Sequence, residues 1–417
     1  MAMLSPGKHI SPLLDDVSQR AVKFFWEQSN PDTGLAKDRA ANFSDKDDHT
    51  VASVAATGFA MSAYAIGAHR GWIPRQKALD RAVMTMEFLN TKGQKEHGWF
   101  YHFIDWRDGS RVWKTEASSV DTGLLIAGCL IAQAEFKDAK FDGEVKKMLA
   151  AIDWNWMLTD DNAMPNSATL CMGWKPETGF IKDRWGEQWE ENFLFVLALG
   201  AYPQMPNSAW KVIKRPIITF HDFTLINGGP IFLHQMSQGF IDFAGKRDSL
   251  GIDYWVEGRN ACLADRQYCI DNPKKFKGYG PNIWGLNAGD SPNGYVGNGA
   301  PGFGSDDGTV SPTGAMASAM YIPDEAAAAA AAMKEGFPNS YGRYGFSNGI
   351  CPAQNWVGPD VIGIDLGMVM LSIENARDGL PHKLSMGNPI IKVGMQRAGF
   401  HKTEEGPLTS RPLQVTD

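Results

Sequence analysis

The chain has 417 residues, 43% hydrophobic and 11% aromatic with 14 tryptophans, so it is long enough to bury a large core. A net charge of −7 excludes the basic face that a nucleic-acid partner requires and fits a neutral substrate. The five cysteines, Cys129, Cys171, Cys262, Cys269 and Cys351, are odd in number and lack CxxC spacing, so they define neither a zinc site nor a disulfide framework.

In chain order, Ser11-Pro12 supplies a cap and a first-turn proline for a helix over 11–28, which ends ahead of Ser29-Asn30-Pro31-Asp32. Asp47, Asp48 and His49 precede a helix of small residues over 51–68, which pairs with it. Pro74 opens the next helix, to about Asn90, and 118–135 pairs with it. A helix over 142–157 pairs with 187–200, and others follow over 231–243, 252–270, 310–320, 323–335 and 363–376. The helices at 51–68, 118–135, 187–200, 231–243, 310–320 and 363–376 are apolar nearly all round, which marks buried helices. Charged faces fall on the intervening ones. This alternation predicts an all-α fold, an (α/α)6 barrel in which outer helices return the chain so that inner helices run parallel. One domain over 1–417 accommodates every element. Long aromatic and glycine-rich segments at 97–113, 160–186 and 272–308 are expected to cover one face, because loops of this length in a compact domain are usually functional. Short β-hairpins are expected within 97–113, where Trp99-Phe100-Tyr101-His102-Phe103-Ile104 meets Asp108-Gly109.

Acids and tryptophans fall just before, or in the first turn of, the apolar helices. Trp113, Glu116 and Asp121 lead into Leu124-Leu125-Ile126, while Trp185, Glu187, Trp189, Glu190 and Glu191 lead into Phe193-Leu194-Phe195. Asp306 and Asp307 precede Thr309-Val310, and Asp360 and Asp365 precede Met368-Val369. Parallel inner helices gather these groups into one pocket of carboxylates and indoles. Such a pocket suits a carbohydrate, whose C–H faces stack on indole and whose hydroxyls bond carboxylates, and two carboxylates also suffice for glycoside hydrolysis. Taken singly, each acid reads equally as a helix cap or dipole partner. No GxxxxGK[ST], GxGxxG after a strand or HExxH occurs, and no histidine pair has metal-ligand spacing, so neither a metal nor another cofactor is expected. The absence of 18 uninterrupted apolar residues argues against a membrane span. Met1–Pro6 carries no apolar leader, so either a cytoplasmic protein or one whose signal has been removed is expected.

Several motifs, in order along nearly the whole chain, resemble the bacterial glucoamylase-like domain. They include Gly34-Leu35-Ala36-Lys37-Asp38-Arg39, Ala52-Ser53-Val54-Ala55-Ala56-Thr57-Gly58-Phe59, Glu116-Ala117-Ser118-Ser119-Val120-Asp121-Thr122, Asp153-Trp154-Asn155-Trp156, Trp284-Gly285-Leu286, Asp306-Asp307-Gly308-Thr309-Val310, Tyr344-Gly345-Phe346 and Glu374-Asn375. That domain includes the family 144 glycoside hydrolases acting on β-1,2-glucans and the related domain of cyclic β-1,2-glucan synthases. The resemblance implies an (α/α)6 barrel, an inverting hydrolysis without cofactor, a periplasmic or secreted setting and an oligo- or polysaccharide substrate; we expect a monomer. It also implies a general acid at the start of the third inner helix, near Glu190 by counting back from Gly200, although this chain has Trp189-Glu190-Glu191 where the family has a Tyr-Asn-Glu-like motif.

Inverting hydrolysis needs one carboxyl kept protonated and a second, ionised one that activates water. A helix N-terminus favours the ionised form of Glu190, so crowding with Glu187, Glu191, Glu116 and Asp121, and burial against Trp185 and Trp189, must oppose it. Glu116 or Asp121 is the expected base, both facing the pocket only if the helix begins between them; Asp121 reads alternatively as a buried partner of Arg39. Asp38 and Arg39 read as sugar-hydroxyl ligands or as a mutual surface pair, and Asp306 and Asp307 as base or cap. His102, Trp113, Trp185, Trp189, Trp284, Arg343 and Tyr344 are subsite candidates, and His234 reads as a subsite or a core histidine. Competing functions are a transglycosylase or a glucosidase of other linkage, a polysaccharide lyase using Tyr101-His102, and a non-catalytic sugar-binding protein.

Overall fold

The computed structural model describes residues 10–403; Met1–Pro6, read above for a leader, lies outside them. The α-helices are, in order, α1 (Pro12–Glu27), α2 (Val54–Arg70), α3 (Arg75–Thr91), α4 (Ser119–Phe136), α5 (Ala139–Ala151), α6 (Trp154–Thr159) and α7 (Asn192–Ala201). They continue as α8 (Phe232–Phe240), α9 (Tyr254–Asp271), α10 (Pro312–Met316), α11 (Pro323–Gly336), α12 (Gly363–Asp378), α13 (Leu380–Ser385) and α14 (Pro389–Arg397). Ser11 caps α1 by accepting from the Leu14 N–H, and Ser53 and Ser118 cap α2 and α4 in the same way, each satisfying an orphan donor of the first turn.

Helices α2, α4, α7, α8, α10 and α12 are buried almost throughout. Packing runs from α2 to α4, α4 to α7, α7 to α8, α8 to α12 and α12 back to α2, with α10 against α12. Around them, α1 covers α2 and α12, α3 covers α2, α5 covers α3 and α4, α14 covers α7, α9 covers α8, and α11 covers α10 and α1. Helix α4 is long and apolar enough to cross a bilayer, but its residues are largely buried inside this arrangement.

Several expected elements differ. The helix at 142–157 divides into α5 and α6 because Asp153 caps a new start, accepting from the Trp156 N–H. The helix at 187–200 begins only at Asn192, and its outer partner is α14 rather than 142–157. Gly200 and Gly394 set that pairing, since a Cβ on either would overlap a carbonyl of the other helix. Helix α10 stops at Met316, well short of 320. The segment expected to fold as a hairpin within 97–113 divides its pairing: Trp99–Phe100 joins Lys95–Glu96, and Phe103–Asp105 joins Val51–Ser53, leaving Ile104 and Arg111 as a single bridge. All five cysteines are buried and free.

Short strands stitch the N-terminal ends of the inner helices to one another. Val51–Ser53, before α2, pairs with Phe103–Asp105; Ala117–Ser118, before α4, pairs with Gly173–Lys175; Asp360–Ile362, before α12, pairs with Arg39–Ala41. The Val54 N–H donates to the His102 carbonyl, and the His102 N–H donates to the Glu116 carbonyl. The Trp185 indole ties the segment ahead of α7 to Ser119 of α4.

The closest helix pair, α2 with α4, depends on two glycines: a Cβ at Gly128 would overlap the Gly58 carbonyl. Gly128→Ala is therefore expected to cost about 2 kcal/mol or more, read as a fall in melting temperature, because the clash is with backbone. Gly143→Ala in α5, where a Cβ meets open space, should instead be neutral or slightly stabilising.

Candidate active site

His102 stands where these N-terminal ends meet. Its Nδ1 lies 3.1 Å from Glu116 Oε1 and its Nε2 3.5 Å from Asp121 Oδ1. Helix α4 begins at Ser119, between the two acids, so both reach one imidazole. Asp121 also accepts from the Ser118 hydroxyl at 2.5 Å. Burial disfavours a charge on His102, but Asp121, Glu116 and Asp38 outweigh it and raise its pKa to about 9. The hydrogen bond from His102 in turn holds Glu116 down to about 2.

Arg39 forms a second centre. Its Nη1 reaches both Asp290 carboxylate oxygens, at 3.2 and 3.1 Å, and Asp360 at 3.7 Å, while Nε lies 3.4 Å from Asp38. Asp38 and Arg39 thus do pair, but inside a four-group cluster rather than on the surface. The alternative in which Asp121 partners Arg39 is corrected: strand pairing at Arg39–Ala41 sets the arginine beside Asp360, and Asp121 faces His102. Burial, over the attraction of Arg39 and His102, raises the Asp38 pKa. Asp365, buried in the first turn of α12 and bonded by Asn348, is raised to about 7 by burial and by the charges of Asp290 and Asp38.

Glu190 comes from the segment just ahead of α7. It is half-buried, and burial first, then the charges of Glu191 and Asp121, raise it to about 8. Glu191 is fully buried, accepts from the Trp189 N–H at 2.7 Å through one oxygen and is itself raised to about 7. Glu187 does not join this crowding: its backbone bridges Lys214, and its exposed carboxylate lies 3.7 Å from the Lys214 ammonium.

Of the expected aromatic ligands, Trp113 is 68% exposed, sits on left-handed backbone at φ +53° and meets the edge of Phe103, which stacks on His102. Trp189 is half-buried against Phe303. Trp185 and Trp284 offer no ring face to a sugar, because both are buried in the core. Asp306 accepts from the Tyr268 and Tyr279 hydroxyls, and Asp307 from Asn293 and Asn298, so both tie down loops instead of lining the pocket. Arg343 pairs with Glu27 and Asp45, and the Tyr344 hydroxyl bonds Gln28, which sets both against α1. His234 is a core histidine, buried 2.7 Å from Glu257. Asp47, Asp48 and His49 have their ligand atoms close together, yet Asp47 is already bonded to Lys37 and His49. Sequence reasoning missed Asp290, Tyr295 and Phe303. The Asn293-Gly294 dipeptide, a strong hairpin signal, would have located the first two on one turn.

Residues 183–389 match a family model described as "Putative glucoamylase". The chain is 27% identical to an exo-β-1,2-glucooligosaccharide sophorohydrolase of Parabacteroides distasonis, over 92% of this chain and 57% of that protein, so it spans little more than half of that relative's length. A solved structure from Bacteroides uniformis, also described as a glucoamylase of the same provisional kind, superposes with a TM-score of 0.85 at 26% identity, covering 96% of this chain and 99% of that one. An endo-β-1,2-glucanase from Chitinophaga pinensis, solved with sophorotriose and glucose, superposes with a TM-score of 0.83 at 25% identity, covering 95% and 99%. The resemblance to glucoamylase-like domains drawn from the sequence motifs is borne out.

Glu190 carries a consequence for stability. Its folded pKa of about 8 lies above the ordinary 4.5, so the folded state holds the proton longer. That contribution is full below about pH 4.5 and is lost as pH rises to about 8. Wild-type melting temperature should fall across this window, and Glu190→Gln should flatten the fall, leaving the variant more stable at pH 8 by on the order of 2 kcal/mol. Some slope should persist, because Glu191 and Asp365, both raised to about 7, act with the same sign. A variant that melts in parallel with wild type at every pH would contradict the protonated Glu190.

Proposed function

We propose that this protein is a glycoside hydrolase acting on β-1,2-linked glucan or its oligosaccharides, by an inverting acid–base reaction on an (α/α)6 barrel. One observation carries the reading: carboxyls of one site held in opposite states, Glu190 raised to about 8 and Glu116 lowered to about 2, with Asp121 3.5 Å from the His102 that bonds Glu116 and its charge acting on Glu190. Glu190, still protonated near neutrality, donates to the glycosidic oxygen as the bond to the sugar carbon breaks. Asp121 takes a proton from the water that attacks the opposite face of the ring. His102 and Glu116 hold Asp121 in place, and Asp38 and Arg39 are offered to sugar hydroxyls. The β-1,2 linkage is supported by the activities of the Parabacteroides and Chitinophaga relatives.

A lyase acting on uronates is disfavoured, since the pocket groups Asp38, Glu116, Asp121, Asp290 and Asp360 repel an acidic polymer. A non-catalytic sugar-binding protein has no use for a protonated Glu190. We extend the proposal to a monomer in the periplasm or outside the cell, where a polymeric glucan is met.

Incubation with a panel of glucans, with product lengths read by chromatography, should give short products from β-1,2-glucan, and proton NMR of fresh products should show the α-anomer first. Turnover should decline above about pH 8, as Glu190 loses its proton. Glu190→Gln should lose about 10²–10⁴-fold in turnover with binding retained, and chelators should leave activity intact. Normal turnover by Glu190→Gln would require another acid.

A further inference from the structure

Among the described residues, the exposed large aromatics are Phe43, Trp113, Tyr295 and Phe303. Three of the four stand at the carboxylate pocket, on separate supports. Single exposed apolar residues need no explanation, but several around one polar cleft do. Trp113 leans on Phe103 beside His102, as described. Tyr295 and Phe303 belong to one segment, 288–304, that runs from the Arg39 cluster to Trp189, the residue before Glu190.

Tyr295 is 62% exposed in the hairpin of Ala288–Ser291 with Gly294–Gly297, directly opposite Asp290 and on the same face. Asp290 is locked twice: its carboxylate by Arg39 and its N–H by the Asn348 side chain, at 2.6 Å. The phenol ring is thereby held over the Asp38–Arg39 end, where the charges of Asp365, Asp38 and Asp290 all act on it. Phe303 is 39% exposed and meets Trp189 edge to face at 5.0 Å, one residue from Glu190. Its support is glycine against glycine: a Cβ at Gly302 would overlap the Gly228 carbonyl, and one at Gly299 would overlap Gly229, while the Phe303 N–H donates to Gly228 at 3.2 Å. Side chains at these glycines would push the loop, and Phe303 with it, off Trp189.

We infer that Tyr295 and Phe303 are sugar-stacking residues that set the two ends of the substrate groove, Phe303 against the ring at the bond being cleaved and Tyr295 against a ring farther along the chain. The inference rests on the proposed glucan hydrolysis and names the residues that determine which chain lengths bind. Burying one ring face against a sugar accounts for about a tenfold change in affinity.

The test uses calorimetry of β-1,2-glucooligosaccharides of increasing length on Glu190→Gln, in which binding is retained and turnover is slowed about 10²–10⁴-fold, with Tyr295→Ala or Phe303→Ala added. Phe303→Ala should weaken binding about tenfold at every length. Tyr295→Ala should do so only for the longer oligosaccharides, and Tyr295→Phe should restore affinity. Phe303→Leu, which keeps apolar volume without the flat ring, should behave like the alanine variant and guards against misfolding, as do melting temperatures. Unchanged dissociation constants for both alanine variants at every length would overturn the inference, as would a Glu190→Gln protein that binds none of these sugars. Intact, length-dependent binding by a wild-type protein that releases no product would overturn the proposed hydrolysis alone.

Discussion

A pocket that holds more carboxylates than cations is the constraint around which this structure is arranged. Arg39 and His102 carry positive charge among Asp38, Glu116, Asp121, Asp290 and Asp360, and they do so with different partners. A buried carboxylate that lacks a cation must take up a proton or be held by hydrogen bonds. Glu116 has its cation and stays ionised; Glu190 and Asp365 do not, and burial drives both upward. The contrast between Glu116 and Glu190 follows from His102, which bonds Glu116 and lies beside no oxygen of Glu190 among the ion pairs of the described residues.

The scaffold makes that uneven distribution possible. The strands ahead of the buried helices α2, α4 and α12 pair with segments that carry His102, Asp38 and Arg39. Backbone pairing, not side-chain attraction, therefore fixes the like charges close together. Close packing of α2 on α4 through Gly58 and Gly128 keeps those strands in register. Helix dipoles would favour ionised acids at these ends, but at Glu190, which directly precedes the Glu191 cap of α7, burial and the charges of Glu191 and Asp121 outweigh that field.

Loops complete the pocket in a different manner. The 288–304 segment is held by one multiply bonded aspartate at one end and by glycine contacts at the other, so its aromatic side chains are presented on rigid backbone without being enclosed by the core. Asp306 and Asp307 belong to the same device, holding Tyr268 of α9, Tyr279 and Asn298 around the segment's end. Acids ahead of helices thus divide into those that line the pocket and those that secure its walls.

The apolar periodicity of 51–68, 118–135 and 363–376 was enough to identify buried helices, because a helix without a polar face has no stable place on a surface. The recurrence of acids and tryptophans before them was enough to point to a carbohydrate, and Glu190, Glu116, Asp121, Asp38, Arg39 and His102 were named as candidates with the help of the family resemblance. Tertiary structure decided which of these meet. It gave Asp121 to His102 rather than Arg39, sent Glu187 out to Lys214, and buried Trp185 and Trp284 where a sugar has no access. Local sequence determines which residues can stand at a helix start; strand register and glycine contacts between distant segments determine which charges become neighbours, and only neighbours shift one another's protons.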